Sequence, residues 1–539
     1  MGRVFLSTVL ASAILLPLSA FALPSNCTVG TNVYYISRSG SDSSTQAQAK
    51  SKSTAWQHAP YMHSFTGTYS HTAGDCFVFR GNDTWDVGTT DYFVVSNGGS
   101  SGNADYYGVD QTWFSGSAWN RPILDIQSSY PNADAYSNAT VFLMNAAYVT
   151  FDYFEIINAA CRVTPTQTNL TEFATSGHDY ITVSNSYFHK FNAQSGGCGS
   201  GKVTNGNASG NNFAIWLYMS VNYDGGHGSF DHNVVDGTDG TGEKGYETIA
   251  MDPGTAAIPS YNVIHDVCSG VAGLMNLVHD NLIYNFGYNA NPTGFDCNKT
   301  GVHAHAIRTQ SDATVYNNVV HDVNDGVIKT NPTSGTMYYI FNNVAYNIGY
   351  PGFAWYLIDL CDNGSGACSN GKVTVWNNTL QCVQNSGASS ACFRLENAVN
   401  TLTLGNEHHI GLDNSGSLTG TSNASTYNFT PAQSLFQTAA QATSAGYTVS
   451  NQYAPTASNS PTVGIAANET SSWPIGSTND TSRGCYQGTV NGAVQVVCPG
   501  YSNNPRPGSG AGLWAAGAYE APGSAVAVNP PTGLTATVQ

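Results

Sequence analysis

One short phrase recurs along the middle of the chain: Asn233-Val234-Val235-Asp236, Asn262-Val263-Ile264-His265, Asn281-Leu282-Ile283-Tyr284, Asn318-Val319-Val320-His321 and Asn343-Val344-Ala345-Tyr346. Each copy reads Asn, two apolar residues, then a polar or aromatic one, and Ser186-Tyr187-Phe188-His189 and Asn378-Thr379-Leu380-Gln381 are looser versions. Successive Asn residues in the close copies stand between 19 (262 to 281) and 37 (281 to 318) residues apart. Such variable spacing fits a solenoid whose coils carry insertions, not rigid helical repeats. Asn, Gly, Thr, Ser and β-branched residues dominate the stretch, which disfavours helix and favours short strands joined by turns. Each strand would turn an apolar side chain inward. An Asn at a fixed corner can use both ends of its amide, bonding the turn backbone and the Asn of the next coil. The residues three places further on, His189, His265, Tyr284, His321 and Tyr346, repeat in the same way and read as a stacking ladder.

Composition narrows the function. Of 539 residues only 9% are charged, against roughly 25% in ordinary soluble domains, which excludes coiled coils and charge-rich disorder. Hydrophobic residues at 41% and aromatics at 12% supply a large core. A formal charge of −17 excludes a duplex nucleic-acid partner, which needs clustered Lys and Arg. Arg3, the apolar run from Val4 to Leu18 and Ala20-Phe21-Ala22 have the pattern of a cleaved signal peptide over 1–22. No later segment approaches the roughly 18 apolar residues of a membrane span, so a secreted or periplasmic protein is expected. Twelve cysteines suit that oxidising space. Sequence order pairs Cys361 with Cys368, Cys382 with Cys392 and Cys485 with Cys498, and less securely Cys27 with Cys76, Cys161 with Cys198 and Cys268 with Cys297. No C-x-x-C pair argues for a metal site instead.

With these features the chain resembles the secreted right-handed parallel β-helix repeat proteins of the pectate-lyase-like superfamily. Three segments carry the resemblance: Tyr34-Tyr35-Ile36-Ser37 with Ser39-Gly40-Ser41-Asp42, Trp56 and Gly74-Asp75-Cys76-Phe77-Val78-Phe79-Arg80-Gly81; the central repeats; and Ser460-Pro461 followed by Trp514-Ala515-Ala516-Gly517-Ala518-Tyr519-Glu520. The resemblance implies an all-β fold, a single-stranded right-handed parallel β-helix over 23–520 with an N-terminal cap, including a cap helix near Ala55 to Ser64. The opening and cap would occupy about 23–140, coils 141–412, and an irregular stretch with a closing strand 413–520. The tail 521–539, rich in Ala, Pro, Gly and Val, reads as a disordered linker. Tyr106, Tyr107, Trp113 and Trp119 are expected to pack the first coils.

Function in such a solenoid is expected on the outer face of one sheet. Ala306-Ile307-Arg308 and Val327-Ile328-Lys329 lie 21 residues apart (308 to 329), with period-2 alternation placing Ile307 and Ile328 inward and Arg308 and Lys329 outward. Leu357-Ile358-Asp359 and Cys392-Phe393-Arg394 continue the alignment, so the predicted outward column reads Arg308, Lys329, Asp359, Arg394. Ala250 and Asp252 would extend it upstream, with Trp216 and Tyr218 on an earlier coil, and Glu396 beside it. For β-elimination from a uronic-acid polysaccharide, Lys329 or Arg308 could take the proton beside the carboxylate or neutralise that carboxylate, which resembles lyases of this fold. Glycoside hydrolysis would need two carboxylates, with Asp252, Asp325, Asp359 and Glu396 available. Opposite charges stacked across coils can equally satisfy one another.

His303 and His305 share a strand face and are expected to be structural. Glu243-Lys244-Gly245-Tyr246-Glu247 reads as a solvated loop. Calcium is common in lyases of this fold, and Asp231, Asp236, Asp239, Asp296 and Asp322 offer oxygens, but no calcium motif is present, so no metal ligands are assigned. The expected partner is a polysaccharide and the expected state a monomer. The competing expectation is a non-catalytic extracellular glycan-binding or adhesion scaffold.

Overall fold

The computed structural model of the chain describes residues 23–521, apart from several segments of which the longest are 160–169, 191–216, 239–248, 287–304 and 383–391. The chain is a parallel β-helix. Each coil passes through three sheets in turn: Ala313–Tyr316 lies in the first, Val319–Val323 in the second and Ile328–Thr330 in the third, after which Met337–Phe341 pairs in parallel with Ala313–Tyr316. Among the described residues the sheets contain 13, 12 and 12 strands. They run from Val33–Ile36 to Ala424–Phe429, from Thr84–Trp85 to Leu435–Gln437, and from Phe93–Val95 to Leu418–Thr419.

The recurring Asn occupies the corner between the first and second sheets. It follows a residue in the left-handed region: Tyr261 (φ 53°), Asp280 (55°), Asn317 (55°), Asn342 (56°) and Asn377 (53°). Non-glycine residues adopt this conformation at a cost, which the buried ladder offsets. The side chain of Asn262 donates to Asn281 (2.9 Å), Asn281 to Asn318 (3.0 Å), Asn318 to Asn343 (3.0 Å) and Asn343 to Asn378 (3.0 Å). Each amide also donates to a backbone carbonyl, such as Val278 O for Asn318 (3.0 Å). Within the second-sheet strands, three places after the Asn, the aromatic column stacks: His265 on Tyr284 at 4.8 Å, Tyr284 on His321 at 5.0 Å and His321 on Tyr346 at 4.9 Å. His189 instead bonds Glu155 at 2.9 Å.

Inside, the second sheet contributes one apolar residue per coil, with Val235, Ile264, Ile283, Val320, Ala345 and Leu380 in register. Tyr106 and Tyr107 are buried in the first coils, Trp119 packs with Val109, and Trp113 meets Tyr35 edge-on.

Three expectations need correction. No helix covers 55–64; short 3-10 turns at Gln48–Lys50 and Lys52–Thr54 precede it. Pro60 disfavours helix at Ala59, Tyr61 has φ 70°, and Asp42 accepts from the backbone N–H groups of Gln57 and His58 at 2.9 Å each, holding the segment open. Within 413–460, Leu418–Thr419, Ala424–Phe429 and Leu435–Gln437 build a further coil before the helix Ala439–Ser444. Finally, Trp514 to Glu520 is a buried strap across the corner rather than a strand of the ladder: Asn377 donates to Ala515 O (3.1 Å), and Gly517 N to Asn406 O (2.7 Å). Gly517 is required there, because φ is 87° and a Cβ would stand 2.5 Å from Thr379 Oγ1.

The C-terminal region thus runs back along the coils. Gln487, in the hairpin Tyr486–Val497, meets His265 and Asp236, and Arg121 of an early coil donates to Val494 O at 2.7 Å. Disulfides join Cys27–Cys76, Cys361–Cys368, Cys382–Cys392 and Cys485–Cys498 as the spacing predicts. Cys161, Cys198, Cys268, Cys297 and the tail beyond 521 lie outside the described residues. No described helix is long and apolar enough to cross a membrane.

Candidate functional site

From Ile181 to Ile410 the first and second sheets are joined by two-residue corners, for example Ser260 to Val263, Tyr316 to Val319 and Trp376 to Thr379. Long intervals fall instead at the edges of the third sheet: His189 to Leu217, Phe286 to Ile307 and Gln381 to Phe393 on one side, Leu360 to Lys372 on the other. A solenoid that varies its intervals beside one face while fixing its other corners makes that face the candidate for a functional site.

The third sheet carries the charged column in the predicted register. Ile307, Ile328, Ile358 and Phe393 pair across adjacent strands and are buried, and beside them run Tyr218, Ala250, Ala272, Arg308, Lys329, Asp359, Arg394 and Thr419. Asp252 pairs with Ser220, two places along the same strand as Ala250. Trp216, Asp325, His303, the loop from Glu243 to Glu247, Asp239 and Asp296 lie outside the described residues.

The column is less open than its outward alternation predicts. Asp359 is 1% exposed and Lys329 5%. Arg394 takes Asp359 through two bonds, Nε to Oδ1 at 2.8 Å and Nη2 to Oδ2 at 2.5 Å, and the same Nη2 meets Glu396 Oε2 at 2.6 Å. Its guanidinium lies 4.6 Å from the centroid of Tyr356. Burial pulls the Arg394 proton affinity down, but the hydrogen bonds to Asp359 and the charges of Asp359 and Glu396 outweigh it and raise the affinity above its ordinary value. A bidentate carboxylate pair of this kind is rigid as well as strong.

Two of the carboxylates that a hydrolase would need are therefore gathered on one guanidinium instead of flanking a gap. The sequence reading missed Tyr356. Its only signal is an aromatic residue immediately ahead of the inward Leu357-Ile358 pair. Beneath it, Gly326 leaves room for two neighbours: a Cβ there would stand 2.9 Å from His305 Cδ2 and 3.1 Å from Tyr356 O. His305 is buried, in keeping with a structural role. Among the proposed oxygen donors, Asp231 is bonded to His232 (2.8 Å), Asp322 to His321 (2.6 Å), and Asp236 to the backbone N–H (2.8 Å) and hydroxyl (2.6 Å) of Thr238. These three do not gather into a group that could hold a cation.

No family model matches the chain, and no curated protein matches it either. Among solved structures it is similar to a GH136 lacto-N-biosidase from Eubacterium ramulus, with 13% identity over 75% of this chain and 68% of the other at a TM-score of 0.43. It is also similar to pectate lyase Pel9A (13% identity, 66% and 78% covered, TM-score 0.38) and to a rhamnogalacturonan lyase (10%, 72% and 84%, TM-score 0.33).

Proposed function

We propose that the chain is a secreted carbohydrate-active protein that acts on a uronic-acid polysaccharide laid along the third sheet, cleaving it by β-elimination. The observation that carries this reading is the in-register row Arg308, Lys329, Asp359, Arg394 on the sheet bordered by the long insertions. Three of the chain's 17 cations stand on four successive coils. The row is polarised: the carboxylates of Asp359 and Glu396 gather at Arg394, and Lys329 and Arg308 occupy the next two coils. Elimination needs a cationic site that lowers the charge of the substrate carboxylate and a base for the adjacent proton. Arg308, a permanent cation, is assigned the first role and Lys329 the second, while Asp359 and Arg394 set the floor of the row. Trp216, Tyr218, Asp252 and Glu396 are assigned to flanking substrate contacts.

The test is the ultraviolet absorbance of an unsaturated uronate product, followed with reducing-end release on neutral glycans, for wild type and Lys329→Ala. Activity on a polyuronate should fall about 10²–10⁴-fold in the variant, the size of a lost general base. Lys329→Arg, which keeps the charge without a readily lost proton, should bind polyuronate and remain inactive. Reducing ends without new absorbance would replace elimination by hydrolysis. Binding without turnover would favour a glycan-binding scaffold, a reading supported by the mutual satisfaction of Asp359, Arg394 and Glu396.

A further inference from the structure

Two columns of the solenoid each have one ionisable member among the described residues, and the two lie in the same coil. At the Asn ladder position the chain places Glu407, whose Oε1 accepts from Asn378 N (3.2 Å) and Nδ2 (3.0 Å). In the inward apolar column Val320, Ala345, Leu380, the next member is His409, followed by Phe436. Glu407 is 0% exposed and His409 1%. A buried carboxylate and imidazole that break both column rules are expensive unless they serve a purpose.

Their geometry suggests one. His409 Nε2 lies 3.2 Å from Glu407 Oε2. A hydrogen on Nε2 donated to that carboxylate leaves a bare lone pair on Nδ1. Among the described residues, Nδ1 has no hydrogen-bond partner. A ring nitrogen of His409 lies within 4.8 Å of the sulfurs of Cys382 and Cys392, which likewise lie within that distance of each other, and this is the one group of three ligand-bearing side chains so gathered among the described residues. Carboxylate, imidazole and two sulfurs in that order match a metal-binding histidine oriented by an outer carboxylate.

We infer that the reduced chain carries a buried site for a soft cation such as Zn²⁺, made by Cys382, Cys392 and His409 Nδ1, with Glu407 orienting the imidazole. In the structure the two cysteines form a disulfide, so the site belongs to the dithiol state. Two equivalents of a small thiol such as glutathione open the bond, giving the small thiol's own disulfide and two protein thiols. The cation then displaces the two thiol protons and binds both thiolates. Three such ligands leave a fourth position for solvent. The disulfide and the metal are thus alternative closures of the same junction, two residues ahead of Arg394.

The test uses the whole chain, reduced under native conditions, with and without Zn²⁺, then alkylated and read residue by residue by mass spectrometry. Zinc should slow alkylation of Cys382 and Cys392 and leave Cys361 and Cys368 unaffected. Equal protection at both pairs, or none, would overturn the inference. His409→Leu restores the apolar column and is expected to fold, and it should abolish the protection. Glu407→Gln should weaken zinc binding about 10- to 100-fold. Unchanged protection in His409→Leu would assign the effect to the thiols alone and remove the site.

Discussion

A ladder residue shows what one side chain contributes. Asn318 donates to Val278 O, Tyr316 O and Asn343 Oδ1 at 3.0 Å each, and its own Oδ1 accepts from the backbone and side chain of Asn281. Asn318→Ala leaves several of these buried groups without partners. At about 1–3 kcal/mol for each group left unsatisfied, a loss of about 3 kcal/mol is expected in denaturant unfolding; a change below about 1 kcal/mol would mean that water replaces the amide. His408 tests a different property. Burial, aided by His409 and opposed by the bond to Gln437, holds its imidazole down to about 4. Between that value and the ordinary 6.5 the unfolded chain binds a proton that the folded chain refuses. Stability is therefore present above about pH 6.5 and is lost as pH falls towards 4, by roughly 3 kcal/mol in all. Burial raises the neighbouring Glu407 above its ordinary value, which gives the opposite slope over its own window. His408→Leu should remove the loss between pH 6.5 and 4, and an unchanged profile would place its origin elsewhere.

Repeated elements were legible where a single rule fixes residue type. The corner demands an amide that both donates and accepts, so Asn recurs, and the alternation around Ile307, Ile328, Ile358 and Phe393 is enough to put Arg308, Lys329, Asp359 and Arg394 in register, as their strands pair. The closing strap was misread as a strand because nothing in it repeats. Its partners come from far along the chain, such as Asn342 for Arg506 and Asn377 for Ala515. Nor did alternation predict that Glu396, two places after Arg394, would share its guanidinium, since that depends on side-chain reach. The strap itself is held by a buried ion pair. Arg506 meets Glu520 at 2.7 Å, Asn342 Oδ1 at 2.8 Å and Gly517 O at 3.0 Å, with both charged residues inside. Removing one partner strands the other charge, so Arg506→Leu should cost about 3–5 kcal/mol and raise hydrogen exchange across 505–521 selectively. Pairing it with Glu520→Leu should recover much of that loss. Exchange that rises equally in every coil would show that the strap unfolds only with the whole solenoid.

The whole molecule sets how an acidic polymer would reach the column. A net charge of −17 repels a polyuronate at long range, while Arg308 and Lys329 act on it only at contact. These opposing effects respond differently to salt. At about 0.01 M ionic strength the Debye length is about 30 Å, so the polymer feels most of the protein's negative field; at about 0.1 M it is about 10 Å, and only nearby charges matter. Raising salt through that range should therefore speed association and lower KM for a polyuronate. Higher salt should raise KM again as contacts to the cations weaken. A neutral glycan should show neither phase. In Arg308→Gln the first phase should survive, because the global field is nearly unchanged, whereas KM should be higher throughout and less sensitive to salt in the second. A polyuronate KM that rises monotonically from the lowest salt would mean that local cations dominate even at long range. Independence of salt in both phases would indicate that the substrate of this face is uncharged.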